Sequence, residues 1–275
     1  MCIRDRIVAT DEWRQHVKEI ILDIEPGSDP VNPRGMPSWE TRAKSIQISM
    51  ETPIVLCKIR KLNYRFMFGE AYWILSGSND LKGVQEHMQR IADYSDNGRT
   101  LAGAYGPHVV RQLQYVKRAL LNDRSTRQAV LTIWQERPEP SKDIPCTLSM
   151  QFMIRQNELH CVTSMRSSDA YLGLPYDLFV FSCIAARVRD MLGIKGLKLG
   201  ELTVFAGSSH IYKRDFGKAF NCTINQGSDP DGRLRLYPGE QKHDNPPRAF
   251  DVYARCGVIH ELERVLEAIK HGDQE

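Results

Sequence analysis

The sequence predicts an α+β fold, and three observations support this prediction. Segments whose apolar residues recur at helical spacing are interleaved with segments in which apolar and polar residues alternate, as in half-buried strands. Two alternating segments meet at Gln156-Asn157-Glu158, which is typical of a hairpin. The 275 residues are 41% hydrophobic, enough to bury the core of one large domain or two small ones. We expect one domain over residues 1–275.

The first predicted helix covers residues 10–24. Trp13, Val17 and Ile20 lie there at helical spacing, and the following proline and glycine end the pattern. Further helices are predicted at 68–75, 108–121 and 178–192. The last of these is strongly apolar, so we expect it to lie at the centre of the fold.

The first predicted strand covers residues 45–50, where Ile46 and Ile48 alternate with polar residues. The other predicted strands are 127–134, 148–155, 159–165 and 198–206. Residues 32–39 are predicted to form a loop. The Pro- and Gly-rich residues 227–247 predict a surface connection to a terminal helix at 258–270.

Charge and hydropathy exclude several classes of function. A formal net charge of +3 is too small for a protein that binds nucleic acid over its whole surface, although an arginine cluster could bind a small phosphate ligand. No apolar run approaches the roughly 18 residues of a membrane helix, and the N-terminus lacks the apolar core of a secretory signal. We expect a soluble, cytoplasmic protein with no membrane or nucleic-acid partner.

The seven cysteines form no Cys-x-x-Cys pair and are scattered along the chain. This pattern argues against a disulfide framework or a zinc site. We therefore expect reduced thiols, most of them in the core, and no metal ion.

Cys146 is the most informative candidate for chemistry. It follows Pro145, and Arg166, Ser167 and Asp169 come a hairpin's length later in the chain. A thiol near an arginine, hydroxyls and carboxylates indicates a covalent site beside an anion-binding wall. Taken alone, such a cysteine fits a buried structural thiol better, and it is this setting that favours a nucleophile.

Other candidates have structural alternatives. Glu70 fits a functional carboxyl group or a salt-bridged core carboxylate, and His210 fits a ligand-binding or a satisfied core histidine. Asp177 comes immediately before the most apolar predicted helix, where aspartate is a favoured N-cap. Arg34 and Arg127 are ordinary surface arginines in the alternative interpretation.

Several short motifs together resemble the thymidylate synthase and deoxycytidylate hydroxymethylase family of folate-dependent pyrimidine C5 transferases, and the cytidylate 5-hydroxymethylases most closely. The resemblance covers residues 32–216, whereas residues 227–275 diverge. The motifs are Arg34-Gly35, Glu70 to Gly77, Tyr105-Gly106, Arg127, Pro145-Cys146, Arg166 to Asp169, Leu172 to Asp177 and Gly207 to Tyr212. The resemblance implies a thymidylate synthase-like fold, in which one face of a mixed sheet packed with helices forms a homodimer interface.

The resemblance also implies that 5,10-methylenetetrahydrofolate donates a one-carbon unit to C5 of a pyrimidine nucleoside monophosphate. Cys146 matches the thiolate that adds to C6 and makes C5 nucleophilic, and nearby guanidinium groups are expected to favour that thiolate. Glu70 matches a buried glutamate that handles protons at the ring, a task that a raised pKa favours. Tyr105 matches the tyrosine that helps to remove the C5 proton.

Substrate phosphate is the first ligand group that the resemblance assigns to side chains. Arg34, Arg166 and Ser167 match the residues that hold it. Arg127 matches an arginine that reaches over from the second subunit of a homodimer. The planar guanidinium group suits a phosphate because it can donate two parallel hydrogen bonds.

Sugar and folate contacts are assigned in the same way. His210 and Tyr212 match the pair that binds the sugar 3′-hydroxyl. Asp169 matches the carboxylate that contacts the folate pterin, and Trp73 is assigned to the same cofactor.

Asp177 departs from thymidylate synthases, which have asparagine there. The asparagine amide accepts from N3–H and donates to O4 of uracil, whereas a carboxylate accepts from the amino group of cytosine and can share a proton with N3. Uracil O4 would meet a second acceptor, at a cost of roughly 1–3 kcal/mol. This departure favours a cytosine nucleotide, dCMP or CMP.

A second departure concerns the product. Thymidylate synthases transfer hydride to the methylene group left on C5, and they exclude water with a tryptophan-bearing segment and an apolar C-terminal tail. Here Ile91-Ala92-Asp93-Tyr94 stands where tryptophans are expected, and residues 270–275 are polar. Admission of water predicts a hydroxymethyl product. A methylating member of the family, either a thymidylate synthase or a cytidylate methylase, and a catalytically weak nucleotide-binding homologue remain as alternatives.

Overall fold

The computed structural model describes residues 8–25, 27–136 and 138–225, together with residues 265 and 267. In chain order the elements are α1 (Ala9–Leu22), β1 (Ser38–Ser49), α2 (Tyr64–Leu75), α3 (Leu81–Gln85), α4 (Gly106–Asn122), β2 (Val130–Thr132), β3 (Thr147–Arg155), β4 (Glu158–Asp169), α5 (Leu174–Leu192), β5 (Lys198–Tyr212) and α6 (Phe216–Ile224). The predicted α+β class is confirmed.

The strands form one mixed five-stranded sheet within the described residues, in the order β1-β5-β4-β3-β2. Strands β4 and β5 are parallel, and the other neighbours are antiparallel. The predicted hairpin is confirmed between β3 and β4. Its two turn residues, Gln156 and Asn157, have φ values of 51° and 62°, the left-handed backbone that a two-residue hairpin turn requires.

Helix α5 lies at the centre of the core, as its composition predicts. Leu178, Phe179 and Phe181 are fully buried, and the ring of Phe179 packs against that of Phe68 in α2 at a centroid distance of 5.2 Å. Helix α1 covers another part of the sheet, where the indole nitrogen of Trp13 donates to the Ala170 carbonyl at 2.7 Å. Burial of these side chains is the main force that holds the helices on the sheet.

The alternation of buried and exposed residues changes phase at one level of the sheet. In β4 the buried positions are odd-numbered up to Met165, and the next buried position is Ser168. In β5, beyond its first two residues, they are even-numbered up to Ala206 and odd-numbered from Ser209, and the register between the two strands does not change at this level. Ala43 of β1, at the same level, has a φ of 55°. Beyond this level, residues 167 and 169 of β4 and 208, 210 and 212 of β5 share the face opposite α1.

The ends of the strands differ from the predictions. Strand β1 begins at Ser38, inside the predicted loop, and β4 and β5 continue to Asp169 and Tyr212. These extensions are rich in polar residues, so hydropathy gives no strand signal there. They pair with one another instead, as Asp169 opposite His210 and Ser38 opposite Tyr212 show. Helix α6 was not predicted, and α5 begins at Leu174 rather than at residue 178.

The predicted connection at 227–247 lies outside the described residues. Within the predicted helix at 258–270, residues 265 and 267 are described, and both have helical backbone. None of the described helices is long and apolar enough to cross a membrane.

Candidate active site

A small cavity lies where α2, the start of α4, the start of α5 and the loop before β3 meet. Its volume is about 150 Å³. Polar groups come from Glu70, Tyr105, Asp143 and Asp177, and the remaining lining is largely apolar. The apolar side chains are those of Trp73, Ile74, Ile91, Leu101, Ala104 and Val180. An apolar pocket with a few convergent polar groups is the usual form of a small-molecule site.

Glu70 and Asp177 are the two acidic side chains of the cavity whose pKa values lie near neutral pH. Burial raises the pKa of Glu70 to about 8, and the charge of Asp177 contributes to this rise. Burial and the charge of Asp169 raise the pKa of Asp177 to about 7. Near neutral pH Glu70 is therefore largely protonated and Asp177 partly protonated, as groups that exchange protons with a ligand require.

The structural alternatives for these two residues are not supported. Asp177 lies in the first turn of α5, and Gly173 takes the N-cap position, so the N-cap interpretation of Asp177 is wrong. Within the described part of the chain, Glu70 has no salt-bridge partner. Trp73, one turn further along α2, is anchored by a hydrogen bond of 2.9 Å from its indole nitrogen to the Asp80 carbonyl.

Cys146 lies immediately before β3 and is fixed by Arg166 of β4. The Arg166 amide donates to the Cys146 carbonyl at 2.9 Å, and its guanidinium group donates to the carbonyls of Pro145 and Ile144 at 3.0 and 2.9 Å. Burial raises the pKa of the Cys146 thiol, although the charges of Arg166 and Arg34 act in the opposite direction. The expectation that guanidinium charge favours the thiolate is correct in sign, but burial outweighs it in the single chain.

Tyr105 is linked to the residue that follows the cysteine. The Thr147 hydroxyl donates to the Tyr105 hydroxyl at 3.0 Å. Burial raises the pKa of Tyr105 well above its usual value, and the negative charges of Asp177 and Cys146 add to the effect. Tyr105 is therefore a neutral phenol, close to both Cys146 and Asp177.

Asp169 is held at the end of β4 by its own chain. Its Oδ1 atom accepts from the amides of Tyr171 and Leu172 at 3.0 and 2.8 Å. The guanidinium group of Arg60 donates to the carbonyls of the same two residues at 2.8 and 3.2 Å. Burial raises the pKa of Asp169 to about 6. An ideal Cβ on Gly173 would lie 3.9 Å from the Asp169 Cβ and 3.7 Å from the Asp177 Oδ2, so the two carboxylates flank one short segment.

Positive charge collects between Cys146 and the end of β5. Arg34 lies in a turn and has a φ of 55°. The positive charges of Arg34 and Arg166 act to lower the pKa values of both Cys146 and His210. The ring of His210 meets that of Tyr212 edge-on at 5.2 Å. Burial lowers the pKa of His210, so its ring is neutral at physiological pH. Four of the predicted binding residues, Arg34, Arg166, His210 and Tyr212, thus lie near one another.

Ser167 and Arg127 complete the predicted set. Ser167 is half-buried and pairs with Ser208 across β4 and β5. Arg127 lies apart from the other candidates of the same chain: it is exposed before β2, and its carbonyl accepts from Gln151 at 2.8 Å.

Sequence reasoning missed three residues of this region. Asp143 lines the cavity and its Oδ2 accepts from the Gly103 amide at 2.8 Å. Arg60 supports the segment that holds Asp169. Glu40 accepts from the Ser208 hydroxyl at 2.5 Å and lies opposite His210 in the sheet. The position of Asp143 three residues before the cysteine was an available signal, whereas the other two have none in sequence.

Comparisons with known proteins agree with this geometry. The profile of the family described as "Thymidylate synthase" matches residues 12–253. The deoxyuridylate hydroxymethyltransferase of Bacillus phage SP01 is 27% identical over 222 residues, which cover 72% of this chain and 57% of that protein. The chain therefore spans less than two thirds of the length of this relative.

Proposed function

The chain belongs to the thymidylate synthase family, and from this premise we propose that it hydroxymethylates C5 of a cytosine nucleoside monophosphate, dCMP or CMP. The observation that carries the proposal is a cavity lined by Glu70 and Asp177, whose pKa values lie near neutral pH, and by Tyr105, which is close to Cys146. The reaction needs a nucleophile, proton-transfer groups and an anion site, and the candidate residues supply all three.

Cys146 acts as the nucleophile that adds to C6 of the pyrimidine. Its resting thiol is neutral because burial outweighs the nearby positive charge, so a proton must leave before the sulfur attacks. Arg34, Arg166 and Ser167 bind the phosphate, and Arg127 of a second subunit joins them. A further guanidinium group near the sulfur would favour the thiolate, and this makes activation of Cys146 depend on the homodimer.

The open face of the sheet is the surface that we assign to this homodimer. Phe205 is 41% exposed there and has Ser45 and Ser164 opposite it on the neighbouring strands. Val162 and Thr203 form the next row and are half-buried. A sheet face that exposes a phenylalanine among small polar residues suits burial against a second copy.

We retain the proposal that residues 1–275 form one thymidylate synthase-like domain.

His210 and Tyr212 bind the 3′-hydroxyl of the sugar. They share one face of β5 with Ser208, on the side of the sheet opposite α1. The neutral imidazole that burial favours has one donor and one acceptor nitrogen, which suits a hydroxyl partner.

The residues present fit 5,10-methylenetetrahydrofolate. Trp73, Ile91 and Leu101 provide apolar walls for a flat ring, and the fixed carboxylate of Asp169 can accept from ring nitrogens. When bound, the folate supplies the one-carbon unit that is transferred. Glu70 exchanges protons at the ring and at the departing folate nitrogen, and Tyr105 takes part in removing the C5 proton.

Asp177 selects the base. With a pKa of about 7, its carboxyl group can accept from the cytosine amino group through one oxygen and share its proton with N3 through the other. An ionised Asp177 would place an acceptor against uracil O4, whereas cytosine keeps the amino-group hydrogen bond in either protonation state.

Two observations support a hydroxymethyl product. Ile91 lines the cavity, while Asp93 and Tyr94 of the same segment are exposed, so this segment, which contains no tryptophan, is open to water at its end. The phage relative is also named a hydroxymethyltransferase.

Hydroxymethylation of a uracil nucleotide is the second candidate function. The name of the phage relative specifies deoxyuridylate. A protonated Asp177 could also donate to uracil O4 and accept from N3–H, as an asparagine amide does.

Mass spectrometry of dCMP, CMP and dUMP after incubation with the protein, tetrahydrofolate and formaldehyde tests the proposal. A cytosine nucleotide that gains one CH₂O unit is the expected result. A gain of CH₂ would indicate methylation, and a product from dUMP alone would establish the second candidate. No gain in any mixture would favour the nucleotide-binding homologue.

A further inference from the structure

Cys57 and Cys222 form a pair of buried thiols outside the cavity. Cys57 lies in the turn before α2, and Cys222 lies in α6. The two thiol groups are joined by a hydrogen bond. They are far apart in the chain and their contact is created by the fold, because α6 packs beside α1 near that turn.

Arg14 of α1 contacts both members of the pair. One terminal nitrogen of its guanidinium group, Nη2, lies 3.8 Å from the Cys57 sulfur, and its Nε donates to the Cys222 carbonyl at 3.1 Å. The hydrogen bond from Cys222, the backbone amides of Arg60 and Ile59 and the charge of Arg14 lower the pKa of Cys57, against the effect of burial. A thiolate held near an arginine is the form of cysteine that reacts with oxidants.

A surface depression of about 300 Å³ lies next to the pair. Arg14 and Thr223, which adjoin the two cysteines, both line it. A small oxidant that enters this depression meets the side chain of Arg14, which contacts the Cys57 sulfur.

We propose that Cys57 and Cys222 are a redox site that hydrogen peroxide converts into an intramolecular disulfide. The Cys57 thiolate attacks one peroxide oxygen, the O–O bond breaks, and a sulfenic acid and one water form after proton uptake. The Cys222 thiol then attacks the sulfenic sulfur, which releases a second water and leaves the S–S bond. The two thiols lose two electrons and two protons, and the peroxide is reduced to two waters.

The position of the pair gives the disulfide a structural consequence. The turn that begins at Cys57 also carries Arg60, whose guanidinium group holds the carbonyls of Tyr171 and Leu172. A disulfide would tie α6 covalently to the turn that supports the Asp169 segment. This inference does not depend on the proposed reaction, since neither thiol lines the cavity.

The test uses the full, reduced chain and hydrogen peroxide. After a short exposure, free thiols are alkylated, and the digested protein is mapped by mass spectrometry. We expect a linked peptide pair that contains Cys57 and Cys222, about 2 Da lighter than the two thiol peptides and separated again by dithiothreitol. Two alkylated thiols, separate over-oxidised cysteines, or a disulfide from either residue to another cysteine would each overturn the proposal.

Matched variants sharpen the test. Cys57→Ser and Cys222→Ser should each abolish the linked pair. Cys183→Ser, which removes a buried thiol within α5, should leave it unchanged. Loss of the link in Cys183→Ser as well would argue against a specific site. The result from the unaltered chain decides the proposal even if a serine variant folds poorly.

Discussion

The carboxyl group of Asp177 lies close enough to that of Glu70 for its charge to raise the Glu70 pKa, and both groups line the same cavity. One comes from α2 and the other from the first turn of α5. Ionisation of Asp177 therefore raises the pKa of Glu70, and the two carboxyl groups titrate with pKa values of about 7 and 8 respectively.

The pair predicts how activity depends on pH. The profile of kcat/KM should show inflections in the range from about 7 to 8, because that ratio reports the ionisation of the free enzyme. Asp177→Asn removes a negative charge beside Glu70 and should move the Glu70 inflection to lower pH. An inflection that stays in place, measured with whichever nucleotide the variant accepts, would show that the two groups are not coupled.

Substitution of Cys146 is expected to abolish the covalent chemistry. Cys146→Ala should lower exchange of the C5 hydrogen with solvent by at least about 10³-fold, because it removes the thiol that adds to C6. Circular dichroism should show an unchanged fold. Exchange at the wild-type rate in a folded variant would exclude the covalent mechanism.

The hydrogen bond from Thr147 to Tyr105 predicts a smaller effect. Thr147→Val keeps the shape of the side chain but removes the donor, and the loss of about 0.5–1.5 kcal/mol should lower kcat roughly 2- to 13-fold. Thr147→Ser retains the hydroxyl and serves as the control. Equal rates in both variants would show that the hydroxyl does not position Tyr105.

The buried position of His16 predicts that the folded protein loses stability in acid. It is buried, its Nε2 lies 2.9 Å from the Ser209 hydroxyl, and burial lowers its pKa to about 4. As the pH falls from 6.5 towards 4, the unfolded chain takes up a proton that the folded chain resists, so the free energy of unfolding falls by about 3 kcal/mol.

The carboxyl groups with raised pKa values act in the opposite direction over the same range. The test is therefore the difference in unfolding free energy between the wild type and His16→Gln, measured by urea denaturation at several pH values. The wild type should lose stability relative to the variant below pH 6.5. Parallel curves would contradict the assignment.

The parts of the fold that the sequence predicts are those with a hydropathy pattern. The periodicity of α1 and α5 and the turn at Gln156-Asn157 give correct elements. The polar ends of β4 and β5 give no such pattern, because their side chains face the candidate site rather than the core. The shift in the alternation of buried and exposed residues that orients these side chains towards the site occurs at the same level in β1, β4 and β5. The sequence of one strand alone does not reveal it.

The sequence names candidate residues for the site, but it does not give the balance of burial and charge at each of them. Motif order identifies Cys146, Glu70 and Asp177, but the net effect of burial and charge on Cys146 depends on distances between segments. The role of Arg60 could not be predicted for the same reason, since its partners are backbone carbonyls from a distant segment.

The most direct test of the central claim is the ratio of kcat/KM for dCMP to that for dUMP, in the wild type and in Asp177→Asn. We expect the wild type to prefer dCMP, and the variant to shift towards dUMP by about tenfold to a few hundredfold, because its amide pairs with uracil. A wild-type preference for dUMP, or a ratio that the substitution leaves unchanged, would contradict the assignment of base selection to Asp177.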